Sequence, residues 1–287
     1  MCIRDRLPHF KRFLLIGDHK QLPAVVVQSP DASKIEDEDL QNIGLYNLRD
    51  SLFERMYKRC IKNNWTWAYA SLTHQGRMHQ DIMKFPSEKF YNESLKILPK
   101  ESIDNTFQIK PIDYQIVDSD SIMEEVLCES RMVFLPSVAD PLSKTGKTNA
   151  SEAKLISEVV ATFQKIYKNN DLEFTPTTLG VITPYRAQIA QIRHALQEHA
   201  IDTNTLTIDT VERYQGGARD IILISLCTNS INQLTSLVSV SDEGVDRKLN
   251  VALTRARKHL VIIGNTSILK ENSIYAALIK TYLKPIV

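Results

Sequence analysis

Two short runs, Ile221-Ile222-Leu223-Ile224-Ser225-Leu226 and Leu260-Val261-Ile262-Ile263-Gly264, are apolar almost without interruption. A strand with one face in water alternates apolar and polar residues. A run without alternation needs cover on both faces, as a central strand of a parallel sheet has between two layers of helices. Further strands are predicted at Arg12 to Ile16, Ala68 to Thr73, Met132 to Leu135, Leu179 to Thr183 and Thr205 to Ile208. Amphipathic helices separate them, so the pattern is that of an α/β protein with a parallel sheet flanked by helices.

Two helix starts carry local chemistry. Asn149 followed by Glu152 reads as a capping box ahead of the apolar face Leu155, Ile156, Val159, Val160 and Phe163. Thr183-Pro184 reads as a cap and a first-turn proline ahead of Ile189, Ile192 and Leu196. Residues 28–42 and 92–130 are polar and irregular and read as insertions or connecting loops. The first six residues, MCIRDR, show no relation to the rest of the chain and are expected to be the scar of a truncation.

The chain of 287 residues, 43% hydrophobic, is long enough to bury a sizeable core. Its net charge of +1 excludes a strongly basic coat but leaves room for a local nucleic-acid groove. No apolar run approaches the roughly 20 residues that span a bilayer, so no membrane partner is expected. The cysteines at 2, 60, 128 and 227 are too scattered for a zinc site or a disulfide framework. Reduced thiols in a cytoplasmic protein are the expectation.

The stretch KLNVALTRARKHLVIIGN, residues 248–265, places Arg255 and Arg257 between an apolar helical face and a buried strand. Such arginines either complement a helix dipole or face a phosphate. On a helical wheel Arg255 lies beside the stripe of Leu249, Ala252, Leu253 and Ala256, from where it would reach a cleft. A phosphate loop would read GxxxxGK[ST] after a strand. The nearest candidate, Thr145-Gly146-Lys147-Thr148, has Pro141 where the first glycine belongs and no strand running into it, so it reads as a polar loop. No metal-binding cluster is expected, and Glu36-Asp37-Glu38-Asp39 reads as a solvated acidic loop.

Five stretches taken together supply the missing context: Gly17-Asp18-His19-Lys20-Gln21-Leu22-Pro23; Gln75-Gly76-Arg77-Met78-His79 with Phe85-Pro86-Ser87 and Phe90-Tyr91; Ile182-Thr183-Pro184-Tyr185-Arg186-Ala187-Gln188; Asp209-Thr210-Val211-Glu212-Arg213-Tyr214-Gln215-Gly216 with Arg219-Asp220; and residues 249–265. In this order and spacing the chain resembles superfamily 1 helicases, in the branch of the nonsense-mediated-decay helicase and its bacterial AAA-type relatives. The resemblance implies a P-loop NTPase fold with two RecA-like domains, ATP with Mg2+ in the cleft between them, and single-stranded DNA or RNA across the top. It implies that residues 1–66 are the tail of the first motor domain and 67–287 the second. The phosphate loop and magnesium carboxylates would lie upstream, in an N-terminal motor domain, so the chain alone is expected not to hydrolyse ATP.

The resemblance also implies roles. Arg255 would be the arginine finger on the γ-phosphate, with Arg77 a second contact to it; Arg257 stays open between such a role and a solvated one. Gln21 would sense the γ-phosphate, Gln215 would couple to the nucleotide or its water, and Gly216 would lie on the nucleotide side. Asp18 would support its loop. Thr183, Tyr185 and Thr210 would meet the nucleic-acid backbone, with helix capping the alternative for Thr183. Gly76 stands where many relatives have an adenine-stacking tyrosine, and Ala218 where many have an acidic residue near the ribose, which implies looser base recognition. The implied activity is 5′-to-3′ translocation and unwinding; the alternative is a non-catalytic RecA-like nucleic-acid-binding or scaffold module.

Overall fold

The computed structural model describes residues 11–23, 29, 31–99, 106–117, 120–214, 216–241 and 243–284. The chain divides into two compact units, Met1–Leu72 and Thr73–Val287. The MCIRDR segment lies outside the described residues.

The first unit carries two helices, α1 (Glu38–Asn42) and α2 (Leu52–Lys62). Each begins at a side chain that accepts an orphan N–H: Asp37 from Leu40, and Ser51 from Glu54. Part of the acidic run is therefore a helix start rather than a loop. Arg12 to Ile16 forms no strand, because a strand needs a paired neighbour and none is present for it among the described residues of this unit. Leu14 and Ile16 are left 84% exposed.

The second unit holds a small parallel pair, β1 (His74–Gln75) and β2 (Lys96–Ile97), with helix α3 (Gln80–Phe90) between them. The predicted strand at Ala68 to Thr73 is thus displaced to 74–75, where β2 supplies the partner. After α4 (Ile122–Glu129) comes the main sheet: β3 (Met132–Ser137), β4 (Leu179–Ile182), β5 (Thr207–Asp209), β6 (Arg219–Ser225) and β7 (Ala256–Asn265). Its order is β3-β7-β6-β4-β5, and every neighbouring pair is parallel. The two uninterrupted apolar runs occupy β6 and β7, side by side inside the sheet.

Strand residues alternate between two cores. Val133, Leu135, Leu179, Val181, Ile221, Leu223, Val261 and Ile263 pack with α4, α5 (Ala150–Asn169) and α6 (Arg186–Glu198) through Leu127, Ile156, Phe163, Ile192 and Leu196. The opposite face is covered by α3, α9 (Arg247–Leu253) and α11 (Ser273–Tyr282). Three short helices complete the unit: α7 (Val211–Tyr214), α8 (Leu234–Leu237) and α10 (Thr266–Leu269).

Both predicted helix starts need correction. Asn149 does cap α5, accepting the Glu152 N–H at 2.9 Å. The box is not closed, because the Asn149 N–H goes to Gln188 Oε1 at 2.7 Å and Glu152 turns into the sheet. Thr183 caps nothing: α6 starts at Arg186 after Tyr185, and the Thr183 hydroxyl is buried without a partner among the described residues.

Gly180 in β4 makes room for Tyr214. A Cβ there would meet Tyr214 Oη at 2.0 Å and its Cζ at 2.9 Å. The Tyr214 hydroxyl is itself held, donating to Thr207 O at 2.8 Å. Gly180→Ala is expected to destabilise the unit by roughly 2–4 kcal/mol, as overpacking against a held ring does. Urea unfolding checks it; an unchanged midpoint would show that Tyr214 swings aside freely.

Candidate functional site

The sheet sorts the predicted residues of the second unit between its two ends. At the amino ends of β6 and β7 a turn carrying Arg77 docks on the turn between α9 and β7. Gln75 shapes the first turn: its Oε1 accepts the N–H of Arg77 (2.9 Å) and of Met78 (2.7 Å), and its Nε2 donates to Met78 O (2.9 Å). Arg77 then donates to Thr254 O at 3.2 Å, and the His79 N–H donates to Arg257 O at 2.8 Å. The Arg77 guanidinium is half-buried, and burial together with the nearby Arg257 lowers its pKa. An arginine cannot shed its proton in a protein. The guanidinium therefore stays charged in this half-buried position.

Arg255 departs from its expected placement. The helix ends at Leu253 with Thr254 as its C-cap, so Arg255 comes after the helix instead of extending its stripe. It is 2% exposed and folds back into the unit: Nε donates to Val251 O (3.1 Å), one terminal nitrogen to Gly217 O (3.4 Å) and the other to Thr254 Oγ1 (3.2 Å). It thereby serves a carbonyl of the last helical turn, the dipole-complementing geometry. Arg255 and Arg77 both converge on Thr254. Gly216 lies beside Gly217 with φ +90°, a conformation that glycine adopts without strain. Gln215 lies outside the described residues. Arg257 is solvated, with Asp220 at 3.9 Å.

Gly76 offers no ring, and its side-chain direction is taken by Leu98, whose Cδ1 would lie 2.6 Å from a Cβ there. The Ala218 carbonyl accepts from Arg219 at 2.8 Å. In the first unit, Gln21 donates to Asp18 Oδ2 at 2.8 Å while Asp18 Oδ1 accepts the Lys20 N–H at 3.0 Å, so Asp18 does brace its loop.

Thr183, Tyr185 and Thr210 lie just past the carboxyl ends of β4 and β5. Thr183 is fully buried, whereas Tyr185 and Thr210 reach the surface in part. The Tyr185 hydroxyl lies 3.1 Å from Ser236 Oγ, and Lys248 Nζ donates to Ser236 O at 3.0 Å. Ser236 and Lys248 thus share a surface with Tyr185. Nothing local announces this, since 51 positions separate Tyr185 from Ser236.

Beneath that surface sits a buried polar network. Glu152 accepts from Ser137 Oγ (3.1 Å), Ser225 Oγ (2.7 Å) and the Cys227 N–H (2.8 Å), which ties the ends of β3 and β6 to α5. Burial pushes its carboxyl up to about 7 against the pull of those hydrogen bonds. Cys227, the residue so held, has φ +50°. Asn229 fastens the neighbouring loop, donating to Gly146 O and Thr148 O at 2.9 Å each. The glycine-lysine stretch near Gly146 is therefore a polar loop tied down by its carbonyls, as expected.

Of the two guanidiniums, that of Arg77 is half-buried, while that of Arg255 is turned inward onto Val251, Gly217 and Thr254. Among the described residues no group of three or more His, Cys, Asp or Glu could hold a metal ion. Among these residues, too, no helix is long and apolar enough to cross a membrane.

The AAA domain family (AAA_12) matches residues 48–267. An uncharacterized ATP-dependent helicase, MJ0104 of Methanocaldococcus jannaschii, is 31% identical over 276 residues, covering 94% of this chain and 34% of that protein. DNA polymerase alpha-associated DNA helicase A of Saccharomyces cerevisiae is 28% identical, covering 91% of this chain and 35% of the relative. The ATP-dependent helicase upf1 of Schizosaccharomyces pombe is 28% identical, covering 92% of this chain and 25% of its own length. The chain thus spans about a third or less of these relatives. With the family matched over most of its length, the chain belongs to the AAA domain family, and its homologues are superfamily 1 helicases.

Proposed function

We propose that the chain is the C-terminal part of an ATP-dependent helicase, with the first unit the tail of one RecA-like domain and the second unit another. One observation carries the reading: Arg77 and Arg255 converge at Thr254 at one end of the parallel sheet, while Tyr185 and Thr210 lie at the other. The first group suits the γ-phosphoryl oxygens, where charge builds in phosphoryl transfer. Gln21 would sense the γ-phosphate and relay its state to the nucleic-acid side, Gln215 would contact the nucleotide or its water, and Gly216 would lie on the nucleotide side. The second group suits a single strand of DNA or RNA, held by hydroxyl contacts and stacking that tolerate any base. Thr183 supports that surface from below. Bound ATP with Mg2+ supplies the hydrolysable phosphate; the chain's own part is to offer positive charge to it and to hold the strand, moving 5′ to 3′.

The test uses the complete protein. Arg77→Ala is expected to depress nucleotide turnover by about 10²-fold or more while strand affinity holds. Tyr185→Ala is expected to weaken strand binding about 5- to 100-fold, as loss of one stacked base does, with strand-independent turnover kept. If both variants damaged both activities equally, the division of labour would be wrong. One observation favours a second reading, a non-catalytic RecA-like binding module: the Arg255 guanidinium is buried and engaged within its own unit. Absence of nucleotide hydrolysis by the complete protein would establish that reading instead.

A further inference from the structure

Gln108 ends a single 3-10 turn, Thr106–Gln108, in a stretch without motif or periodicity, yet it is wholly buried. Its Nε2 donates to Gln75 O at 3.0 Å and to Met78 O at 2.9 Å. One amide nitrogen therefore closes the two ends of the turn that carries Arg77. The carboxamide is suited to this, since it presents two N–H donors from one atom, and the reversed orientation would set its oxygen against both carbonyls. Gln75 braces the turn from within through Arg77 N–H and Met78 N–H; Gln108 braces it from a position 33 residues away from Gln75. Without Gln108, Gln75 O loses this donor and Met78 O keeps Gln75 Nε2. The turn then keeps its internal brace from Gln75 but loses the one that ties its two ends together.

We propose that Gln108 is a positioning residue for Arg77, fixing the turn so that the guanidinium meets Thr254 and the phosphate beyond it. The proposal rests on the phosphate-facing reading of Arg77. Displacement of a reacting or stabilising group by about 1 Å costs on the order of 10²-fold in rate, and a tethered turn limits the shift to less than a free one would allow.

The experiment is a double-mutant comparison in the complete protein, with nucleotide turnover measured in wild type, Gln108→Met, Arg77→Ala and the double variant. Methionine keeps the volume and removes both donors. The expected result is a fall in kcat of about 10- to 100-fold for Gln108→Met, KM within about twofold, and no further loss when it is added to Arg77→Ala. A packing role alone would lower turnover by the same factor in both backgrounds, and that outcome overturns the proposal. An unchanged kcat in Gln108→Met overturns it too. If Arg77→Ala itself leaves turnover intact, the phosphate reading of Arg77 fails and takes this proposal with it, an outcome distinct from the first two. Should Gln108→Met not fold, Gln108→Asn, which keeps the amide one methylene short, decides by the same comparison.

Discussion

Arg255→Ala in the complete protein is expected to cut nucleotide turnover by about 10³-fold, the loss expected on removal of an arginine finger. The burial of Arg255 complicates the measurement and makes it more informative. The side chain has hydrogen bonds to Val251 O, Gly217 O and Thr254 Oγ1, so alanine also leaves buried carbonyls short of donors. A stability loss of roughly 1–3 kcal/mol accompanies the kinetic effect. Turnover must therefore be normalised to folded protein, with melting followed by circular dichroism. Arg255→Lys separates the contributions, because it keeps the charge but cannot make the forked contacts. A residue that merely complements the helix dipole would lose stability in Arg255→Ala, recover most of it in Arg255→Lys, and keep turnover per folded molecule in both. A finger loses turnover in both, however well the protein folds.

The second large effect is on stability against pH, where two buried groups oppose each other. Glu152 titrates near 7 in the folded chain against 4.5 for a free carboxyl. The folded state holds that proton more tightly, so the contribution is full below about 4.5 and is lost as pH rises toward 7. His259, wedged between Tyr114 and Phe163, is lowered by burial from 6.5 to about 3. There the unfolded state holds the proton more tightly, and stability is lost as pH falls below 6.5. Between 4.5 and 6.5 the slopes have opposite signs, each roughly 1.4 kcal/mol per pH unit. These two groups together should therefore give a plateau across that window. Glu152→Gln is expected to expose the histidine slope, with stability rising steeply from pH 4.5 to 6.5. His259→Phe exposes the opposite slope, and the double variant is flat again. Urea unfolding at half-unit pH steps measures this. Parallel curves for wild type and both single variants would show that neither group is as buried when titrated as its packing indicates.

The central sheet was legible because an uninterrupted apolar run has few places to go. Residues 221–226 and 260–264 need cover on both faces, and their paired positions inside the sheet supply it. Arg12 to Ile16 carries a similar local pattern but has no partner strand among the described residues, and an apolar run without a neighbour does not make a ladder. The site was legible as motifs and much less as geometry. The wheel drawn for Arg255 assumed a helix continuing through it, and the cap at Thr254 turns the side chain inward instead. Asn149 and Glu152 read as a local pair, but the Glu152 carboxylate bonds Ser225 and Cys227, 73 and 75 positions away. Gly180 carries no local mark either, since what requires it is the Tyr214 ring arriving from a later helix. Long-range partners of this kind leave almost no trace in spacing.

Two helical stretches of this unit meet the ends of the sheet. Residues 209–214, ending with α7, follow the carboxyl end of β5, and residues 246–255, through α9, lead into the amino end of β7. The α9 helix packs on α7, on α3 and on β7. Each stretch is held by hydrogen bonds: Tyr214 to Thr207, and Asp246, at the first position, accepting the N–H of Lys248 and Leu249. On the proposed reading, α9 joins the Thr254 end, where a γ-phosphate would act, to Lys248 beside Tyr185. Linkage then sets the terms of exchange: the factor by which nucleotide changes the hold on a strand must equal the factor by which the strand changes the hold on nucleotide.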